Sequence, residues 1–237
     1  MLGGAVSPRI AVVVPVYRNA DTLRALAGRL DVALDDPWTL RLVVDACPEG
    51  SAAEALSLAA AEPRIRATVL PRNVGQHRAI ATGLEAEPGA DVWVCLDGDL
   101  QDPPEVVPTL VDALARRQVA AVFAGRRGAY ESRGRRLTGN AHRRALAALT
   151  GLPPDAGAFF AMDARVRDAV VSGVLARGAP SVVVAAASTG LPLSSVPVRR
   201  DVRGQGSSAW TSRERVRQSA RTILWAARHC RSVQATP

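Results

Sequence analysis

The most informative stretch of the chain is Val94-Cys95-Leu96-Asp97-Gly98-Asp99-Leu100-Gln101-Asp102-Pro103-Pro104-Glu105, where an apolar strand runs into paired aspartates. Alternate residues of an extended segment project to the same side, so Asp97 and Asp99 are expected to face one hard cation. Gly98 lets a ligand approach the backbone closely, and Gln101 offers a further oxygen. The pattern predicts a Mg2+ or Mn2+ site; the alternative is a turn that only ends a strand.

The same stretch predicts the architecture around this site. Pro103-Pro104-Glu105 is typical of a helix start, because proline is tolerated in the first turn, and a helix is expected from Glu105 to Arg116. A strand, a carboxylate loop and a helix therefore follow one another. In open α/β sheets, ligands bind at the carboxyl ends of the strands.

The order of elements along the chain supports an α/β class. Strands are predicted at Ile10–Val16, Leu40–Val44, Ala67–Leu70, Val92–Leu96 and Val119–Ala124. Helices are predicted between them, at Ala20–Leu34, Ser51–Ala61 and Gln76–Glu85. This alternation indicates βαβ units with a parallel sheet. Further strands are expected at Ala158–Met162, Val182–Ala187 and Leu193–Val198, and a last helix at Thr211–His229.

Composition limits the kinds of partner. The 237 residues carry 30 basic and 22 acidic side chains, for a net charge of +8, and every basic residue is arginine. This balance favours partners with phosphate or carboxylate groups. Binding to nucleic acid is not expected, because the chain has no recognised nucleic-acid motif and only 4% aromatic residues.

Cysteine usage and hydropathy predict a cytoplasmic location. The three cysteines are scattered, which argues against a disulfide framework and favours a reducing compartment. The first apolar run, Ile10–Val16, is too short for a signal peptide, and no run approaches the roughly 18 apolar residues of a membrane span.

Five separated blocks follow one another in the order of a known family. They are Val13-Val14-Pro15-Val16-Tyr17 with Asn19, Leu42-Val43-Val44-Asp45, Arg72-Asn73-Val74-Gly75 with Ala79 and Gly83-Leu84, Leu96 to Glu105, and Arg203 through Gly206, Ser208 and Trp210. Together they resemble the family 2 glycosyltransferases of the GT-A fold, most closely the branch with dolichol-phosphate mannose synthases and bacterial polyprenyl-phosphate sugar transferases. The resemblance implies a Rossmann-like, mostly parallel sheet flanked by helices in a single domain over residues 1–237. It also implies metal-dependent, inverting transfer of a sugar from a nucleoside-diphosphate sugar donor.

The resemblance also assigns roles to residues. The donor nucleotide would be held by Pro15, Val16, Tyr17, Asp45, Asn73, Gly75, Asp97 and Gly98. The metal, Mg2+ or Mn2+, would be held by Asp97, Asp99 and Gln101. The catalytic group would comprise Asp97, Asp99, Arg126 and Arg203, since arginines of the second half bind phosphates in the resembled enzymes. Residues 9–125 would form the donor half, 126–210 the acceptor half, and 211–237 a C-terminal amphipathic helix and tail.

Departures from the family pattern leave the acceptor open. Ala46 stands where the family usually has a second acidic residue, and Ala158 and Phe160 replace the aspartate and arginine of a Gly-Asp-Phe-Arg run. A phosphate acceptor needs no general base, whereas a hydroxyl acceptor does, and Asp155 or Asp163 could then supply it. A polyprenyl phosphate acceptor is slightly favoured over a small molecule, as in natural-product tailoring. A catalytically silent nucleotide-binding domain is the third interpretation.

The last predicted helix, Thr211–His229, has an apolar side and several arginines. Such a helix either packs on the domain or lies on a membrane surface. The second interpretation would place the protein at the inner face of the membrane as a peripheral protein.

Overall fold

The computed structural model describes residues 7–127, 144–199 and 212–230. In these ranges one sheet contains β1 (Ile10–Val16), β2 (Trp38–Val44), β3 (Ile65–Val69), β4 (Val92–Cys95), β5 (Ala121–Arg127), β6 (Phe160–Met162) and β7 (Leu193–Arg199). The helices are α1 (Ala20–Ala33), α2 (Ser51–Ala61), α3 (Gln76–Glu85), α4 (Val107–Arg117), α5 (144–150), α6 (Ala164–Leu175), α7 (Val182–Ala187) and α8 (Ser212–His229). A single 3-10 turn at Pro104–Val106 leads into α4.

The sheet order is β3-β2-β1-β4-β6-β5-β7. Neighbouring strands are parallel except at β6, which runs antiparallel to both β4 and β5. The predicted α/β class with a mostly parallel sheet is therefore confirmed. Strands β1 and β4 are buried on both faces, which explains their continuous apolar sequences.

Two apolar cores lie on the two faces of the sheet. Val12, Val14 and Val16 of β1 face the core that contains α1, α2 and α4, whereas Ala11 and Val13 face the core that contains α3, α6 and α7. We call these the α1 face and the α3 face. Alternate residues of a strand point to opposite sides, so every central strand contributes to both cores.

Helix α3 lies close against the sheet because Gly83 has no side chain. A Cβ atom at this position would lie 2.5 Å from Val13 Cγ1 and 2.7 Å from Val43 Cγ2. Interiors are packed too densely to absorb such overlaps without movement. The glycine thus fixes α3 over β1 and β2.

A buried ion cluster joins the far end of α3 to three strands. Glu87, which is 4% exposed, accepts hydrogen bonds from Arg41 of β2 at 2.6 Å and from Arg66 of β3 at 2.8 Å. Its backbone oxygen accepts a hydrogen bond from the indole of Trp93 in β4 at 2.6 Å. Buried charges are tolerated when they are paired and hydrogen-bonded in this way.

One sequence prediction fails in the second half, and one helix there was not predicted. The predicted strand Val182–Ala187 is the helix α7, whose first turn is capped by Ser181 Oγ accepting from Val184 N at 3.3 Å. A short apolar run does not distinguish a buried strand from a buried helix, and the serine before it was the overlooked cap signal. Helix α6 was not predicted either, although Asp163 caps it by accepting from Val166 N at 3.0 Å.

Candidate active site

The site residues predicted in the first half gather at one edge of the sheet. Strands β1, β2, β3 and β4 are parallel, so the loops that follow them leave at the same carboxyl edge. Strand β5 ends at this edge too, and the antiparallel β6 begins there. The topology therefore brings loops from the first and second halves of the chain to a common edge.

Asp45 ties two of these loops together. The residue follows β2 and is 3% exposed, and its two carboxylate oxygens accept hydrogen bonds from Val74 N at 2.7 Å and Gly75 N at 2.8 Å. The side-chain amide of Asn73 donates to the backbone oxygen of Asp45 at 3.2 Å. Gly75 has φ +85° and begins α3, a conformation that favours glycine. Asp45 thus orients the loop that opens α3.

The end of β1 packs against the aspartate turn. Tyr17 is 45% exposed, while its backbone N–H donates to Asn19 Oδ1 at 2.9 Å. The Asn19 amide lies over Gly98, where a Cβ atom would approach Asn19 Nδ2 to 2.2 Å. Thr22 Oγ1 donates to the backbone oxygen of Gly98 at 2.5 Å. Gly98 is therefore required because the Asn19 side chain occupies the place of a Cβ atom, whether or not a ligand also approaches this backbone.

The aspartates lie in a turn and not in an extended segment. Strand β4 ends at Cys95, and residues 98–101 form a bend in which Leu100 has φ +58°. Asp99 Oδ1 accepts from Gln101 N at 3.1 Å, which closes this bend. Residues 98–101 are therefore not the extended segment that the sequence argument assumed, and the expectation that Asp97 and Asp99 face one cation stays a prediction that depends on the turn. Left-handed non-glycine residues such as Leu100 are uncommon and cluster at functional sites.

Gln76 is a site residue that the sequence reasoning did not single out. Its side-chain amide donates to Asp97 Oδ1 at 2.5 Å, so the first residue of α3 holds the first aspartate. The signal was available, because a helix that starts at the carboxyl edge brings its first side chains to the ligand surface. The next residue, His77, is neutral near pH 7, since burial lowers its pKa to about 4. The α3 N-terminus therefore carries no histidine charge.

The turn carries oxygen groups of the kind that a divalent cation uses when it also takes ligands from a substrate. Among the described residues, no three His, Cys, Asp or Glu side chains are close enough together to hold a metal ion. Magnesium sites of nucleotide enzymes typically use one or two carboxylates together with substrate phosphates. The carboxylates of Asp97 and Asp99 and the amide of Gln101 supply the oxygen chemistry for such a site.

The second half of the chain contributes the end of β5 and the start of β6 to this edge. Arg126 lies in β5 opposite Val198 of β7, at the carboxyl edge, whereas Arg203 lies outside the described residues. Phe160 is fully buried and stacks on Phe123 with ring centroids 4.8 Å apart. The phenylalanine that replaces the family arginine thus belongs to the core and not to the ligand surface.

The two aspartates proposed as substitutes for the missing carboxylate have different surroundings. Asp163 follows β6, so it lies at the opposite edge of the sheet, where it caps α6 and pairs with Arg165 at 2.6 Å. Asp155 precedes β6 and contacts Gly125 at the end of β5. Asp163 therefore cannot serve the carboxyl edge.

Ala46, which stands where the family usually has an acidic residue, has a strained backbone conformation whose effect on stability can be measured. Ala46 has φ +48°, a left-handed conformation that asparagine and aspartate tolerate better than alanine. We expect Ala46→Asn to raise the free energy of unfolding by about 0.5–1 kcal/mol, because it relieves this strain. Urea unfolding would measure the change, and Ala46→Val, with its branched Cβ, should lower stability. If Ala46→Asn and Ala46→Val changed the free energy of unfolding equally, or in the opposite order, the strain at position 46 would be ruled out as the cause.

A family model and curated relatives each match part of the chain. The model described as "Glycosyl transferase family 2" matches residues 11–168. An undecaprenyl-phosphate 4-deoxy-4-formamido-L-arabinose transferase from Pectobacterium carotovorum is 42% identical over 112 residues, which cover 45% of this chain and 34% of the relative. The transferase of the same name from Yersinia enterocolitica is 42% identical over 108 residues, covering 44% and 32%. The chain therefore matches about a third of the length of these curated relatives.

Solved structures share the fold at low sequence identity. A mannosyltransferase from Pyrobaculum calidifontis, in complex with GDP-Man and Mn2+, is 19% identical with a TM-score of 0.66, covering 96% of this chain and 66% of its own. Glucosyl-3-phosphoglycerate synthase from Mycobacterium tuberculosis, in complex with Mn2+, UDP and glucosyl-3-phosphoglycerate, is 18% identical with a TM-score of 0.62, covering 94% and 80%. These likenesses establish the architecture of the chain.

Proposed function

The chain belongs to glycosyl transferase family 2, and from this membership we propose that it transfers a sugar from a nucleoside-diphosphate sugar to a phosphate-bearing acceptor. The observation that carries the proposal is the shared carboxyl edge. There the loop held by Asp45 and the turn of Asp97 and Asp99 both meet the start of α3. A nucleotide and its diphosphate require hydrogen-bond donors and hydrogen-bond acceptors of these kinds at one surface.

A divalent cation, Mn2+ or Mg2+, would be held by Asp97, Asp99 and Gln101. Bound there, it would offset the negative charge that grows on the departing nucleoside diphosphate. The two solved structures with this fold were obtained with Mn2+ and a nucleotide or nucleotide sugar, which supports the choice of metal and donor class.

The protein's own groups would position the donor. The N-terminal end of α3 favours negative charge through its aligned peptide dipoles, and Asp45 fixes the loop that leads into it. Gln76 orients Asp97 by hydrogen bonding. The nucleotide would lie along the ends of β1 and β2, against Pro15, Tyr17 and Asp45, and Arg126 would contact phosphate.

A polyprenyl phosphate is the acceptor that the relatives favour, because their names describe transfer to undecaprenyl phosphate. The net charge of +8 agrees with two phosphate-bearing substrates. A hydroxyl-bearing small molecule is the second candidate, kept open because Ala158 and Phe160 depart from the family run, although such an acceptor needs a base that Ala158 does not supply. The two acceptor classes differ in their need for a general base.

Helix α8 supports contact with a membrane surface. Thr222, Trp225 and Ala226 are buried against the domain, whereas Leu224 is 58% exposed. The exposed side also carries Arg217, Arg221 and Arg228 at helical spacing around Leu224. No described helix combines the length and hydropathy needed to cross a bilayer. We propose that this basic side lies on an anionic membrane, where a lipid-linked acceptor would be presented.

Vesicle binding tests this surface. We expect the double variant Arg217→Ala/Arg221→Ala to bind phosphatidylglycerol vesicles about 30-fold more weakly than the wild type, since each arginine contributes about 1 kcal/mol near an anionic surface. Co-sedimentation measures the binding. Arg24→Ala/Arg116→Ala, which removes the same charge from α1 and α4, is the matched control. Equal losses in both double variants would rule out a role for α8.

Thermal unfolding with UDP-, GDP- and dTDP-sugars tests the proposed activity and identifies the donor. One nucleotide class should raise the melting temperature only when Mn2+ is present. A ligand concentration of 100 times Kd corresponds to a stabilisation free energy of about 2.7 kcal/mol. Transfer to undecaprenyl phosphate in detergent is then measured with that donor. A metal-dependent shift without transfer to phosphate or hydroxyl acceptors would indicate a silent binding domain. No shift with any donor would overturn the proposal.

A further inference from the structure

The first turn of α1 is joined to the aspartate turn by one side chain. Thr22 Oγ1 lies 2.5 Å from the backbone oxygen of Gly98, which is 76 residues further along the chain, and 2.9 Å from that of Asn19. A hydroxyl has a single hydrogen to donate, and the Asn19 oxygen already accepts from Thr22 N at 3.2 Å. The hydroxyl hydrogen is therefore available to Gly98, which is the nearer acceptor.

The Gly98 carbonyl lies between the two aspartates that would hold the metal. Its oxygen belongs to the planar peptide unit that joins Gly98 to Asp99, so a hydrogen bond to this oxygen fixes the plane of that peptide. The plane in turn sets the direction in which the Asp99 side chain leaves the backbone, relative to Asp97. Glycine has the widest backbone freedom of any residue type, so an external hydrogen bond has most to fix at this position.

Asn19 restrains Gly98 from a second direction. Its Oδ1 accepts from Tyr17 N at 2.9 Å, which turns its Nδ2 toward Gly98. Asn19 is 9% exposed, and Gly98 is buried too. Leu23, which follows Thr22 in α1, is fully buried in the core of the α1 face. Both contacts with Gly98 therefore come from the start of a helix that the core holds in place.

We propose that Thr22 is a positioning residue for the metal. Its hydroxyl holds the Gly98 carbonyl, and the carbonyl holds Asp97 and Asp99 in the arrangement that one divalent cation needs. The inference rests on the proposed glycosyl transfer, because the cation belongs to that function. Thr22 acts through the backbone of the turn and supplies no metal ligand itself. Replacing residues that orient metal ligands in this way commonly changes metal affinity or activity by about 10- to 100-fold.

Thr22→Val tests the role because valine has nearly the shape of threonine but no hydroxyl. It removes the donor to the oxygen of the buried Gly98, so the peptide is expected to rotate toward another donor or water. We expect the Mn2+ concentration that gives half of the nucleotide-dependent thermal shift to rise about 10- to 100-fold, with UDP, GDP and dTDP as probes. Thr22→Ser keeps the hydroxyl and should keep the wild-type Mn2+ requirement.

Thr189→Val is the matched control. Thr189 Oγ1 donates to the backbone oxygen of Ala186 at 2.9 Å, and the residue is half-buried like Thr22, but it precedes β7 at the amino edge of the sheet. The substitution therefore removes a hydroxyl-to-carbonyl hydrogen bond of the same kind far from the aspartate turn. Its melting temperature should fall, whereas its Mn2+ requirement should equal that of the wild type. A rise as large as in Thr22→Val would overturn the specific role of Thr22.

Hydrogen exchange tests the same restraint without metal or nucleotide. In the metal-free protein, the backbone amides of residues 98–101 should exchange about 5- to 10-fold faster in Thr22→Val than in the wild type. The same amides should exchange at the wild-type rate in Thr189→Val and in Thr22→Ser. Equal exchange in Thr22→Val and the wild type would show that the hydroxyl does not hold the turn.

The two measurements separate the inference from the function beneath it. A wild-type Mn2+ requirement in Thr22→Val, or a rise in Thr22→Ser as large as in Thr22→Val, would overturn the role of Thr22. If Thr22→Val does not fold, Thr22→Ala takes its place with the same expectations and the same contradicting results. Absence of any Mn2+-dependent nucleotide shift in the wild type would instead overturn the proposed function, while faster exchange in Thr22→Val would still support the restraint on the turn.

Discussion

Asp99→Ala is expected to remove manganese-dependent donor binding and to lower sugar transfer on the order of 1,000-fold. The substitution deletes one of two carboxylates in the turn after β4 and also the hydrogen bond from Gln101 N that closes the turn. A metal contributes several kcal/mol of charge stabilisation at a leaving diphosphate, and each 1.36 kcal/mol corresponds to about a factor of ten in rate. Thermal shift with and without Mn2+ measures binding, and a radiolabelled donor measures transfer.

Asp112→Ala is the matched control for this experiment. Asp112 is an exposed carboxylate on α4 that pairs with Arg116 four residues later, so its loss removes the same charge away from the site. Its donor binding and transfer should equal those of the wild type. If Asp99→Ala keeps a manganese-dependent shift of normal size, the metal does not lie at this turn.

Glu87→Ala is expected to lower the free energy of unfolding by about 3–5 kcal/mol. The substitution leaves Arg41, whose side chain is 14% exposed, without its carboxylate partner in a buried position. It also removes the partner of Arg66, so β2 and β3 lose their joint attachment to the end of α3. Urea unfolding followed by circular dichroism would measure the change.

Glu105→Ala is the control that distinguishes the loss of a buried ion pair from the loss of an exposed one. Glu105 forms a pair of similar geometry with Arg29, at 2.7 Å, but its side chain is 51% exposed. Exposed ion pairs contribute only about 0–1 kcal/mol, so the loss should be small. Similar losses in the two variants would mean that the Glu87 cluster is not the buried anchor described above.

The donor half could be predicted from sequence because several independent patterns agreed there. The β-branched run Ile10–Val16 and the helix Gln76–Glu85 were predicted with the bounds that the structure has. The placement of Asp45, Gly75 and Asp97 at one edge follows from parallel topology alone. Their mutual hydrogen bonds could not be predicted, because they depend on loop conformations such as the positive φ of Gly75.

The acceptor half was harder because its signals are short and depend on tertiary packing. The apolar run Val182–Ala187 reads equally well as a strand or a helix, and packing against α6 decides in favour of the helix. The proximity of Asp155 to Gly125, thirty residues earlier in sequence, could not be predicted, because only the pairing of β5 and β6 brings the two together.

The reversed direction of β6 has a consequence for how such a protein can diversify. Under the proposed function, loops that leave the parallel strands β1, β2 and β4 would build the donor surface, whereas the loop at the same edge before β6 enters the sheet. Exchanging residues on that entering loop leaves the hydrogen bonds of Asp45 and Gln76 untouched. If the proposed function holds, mutation of this loop would change what receives the sugar and leave the residues that bind the donor unchanged.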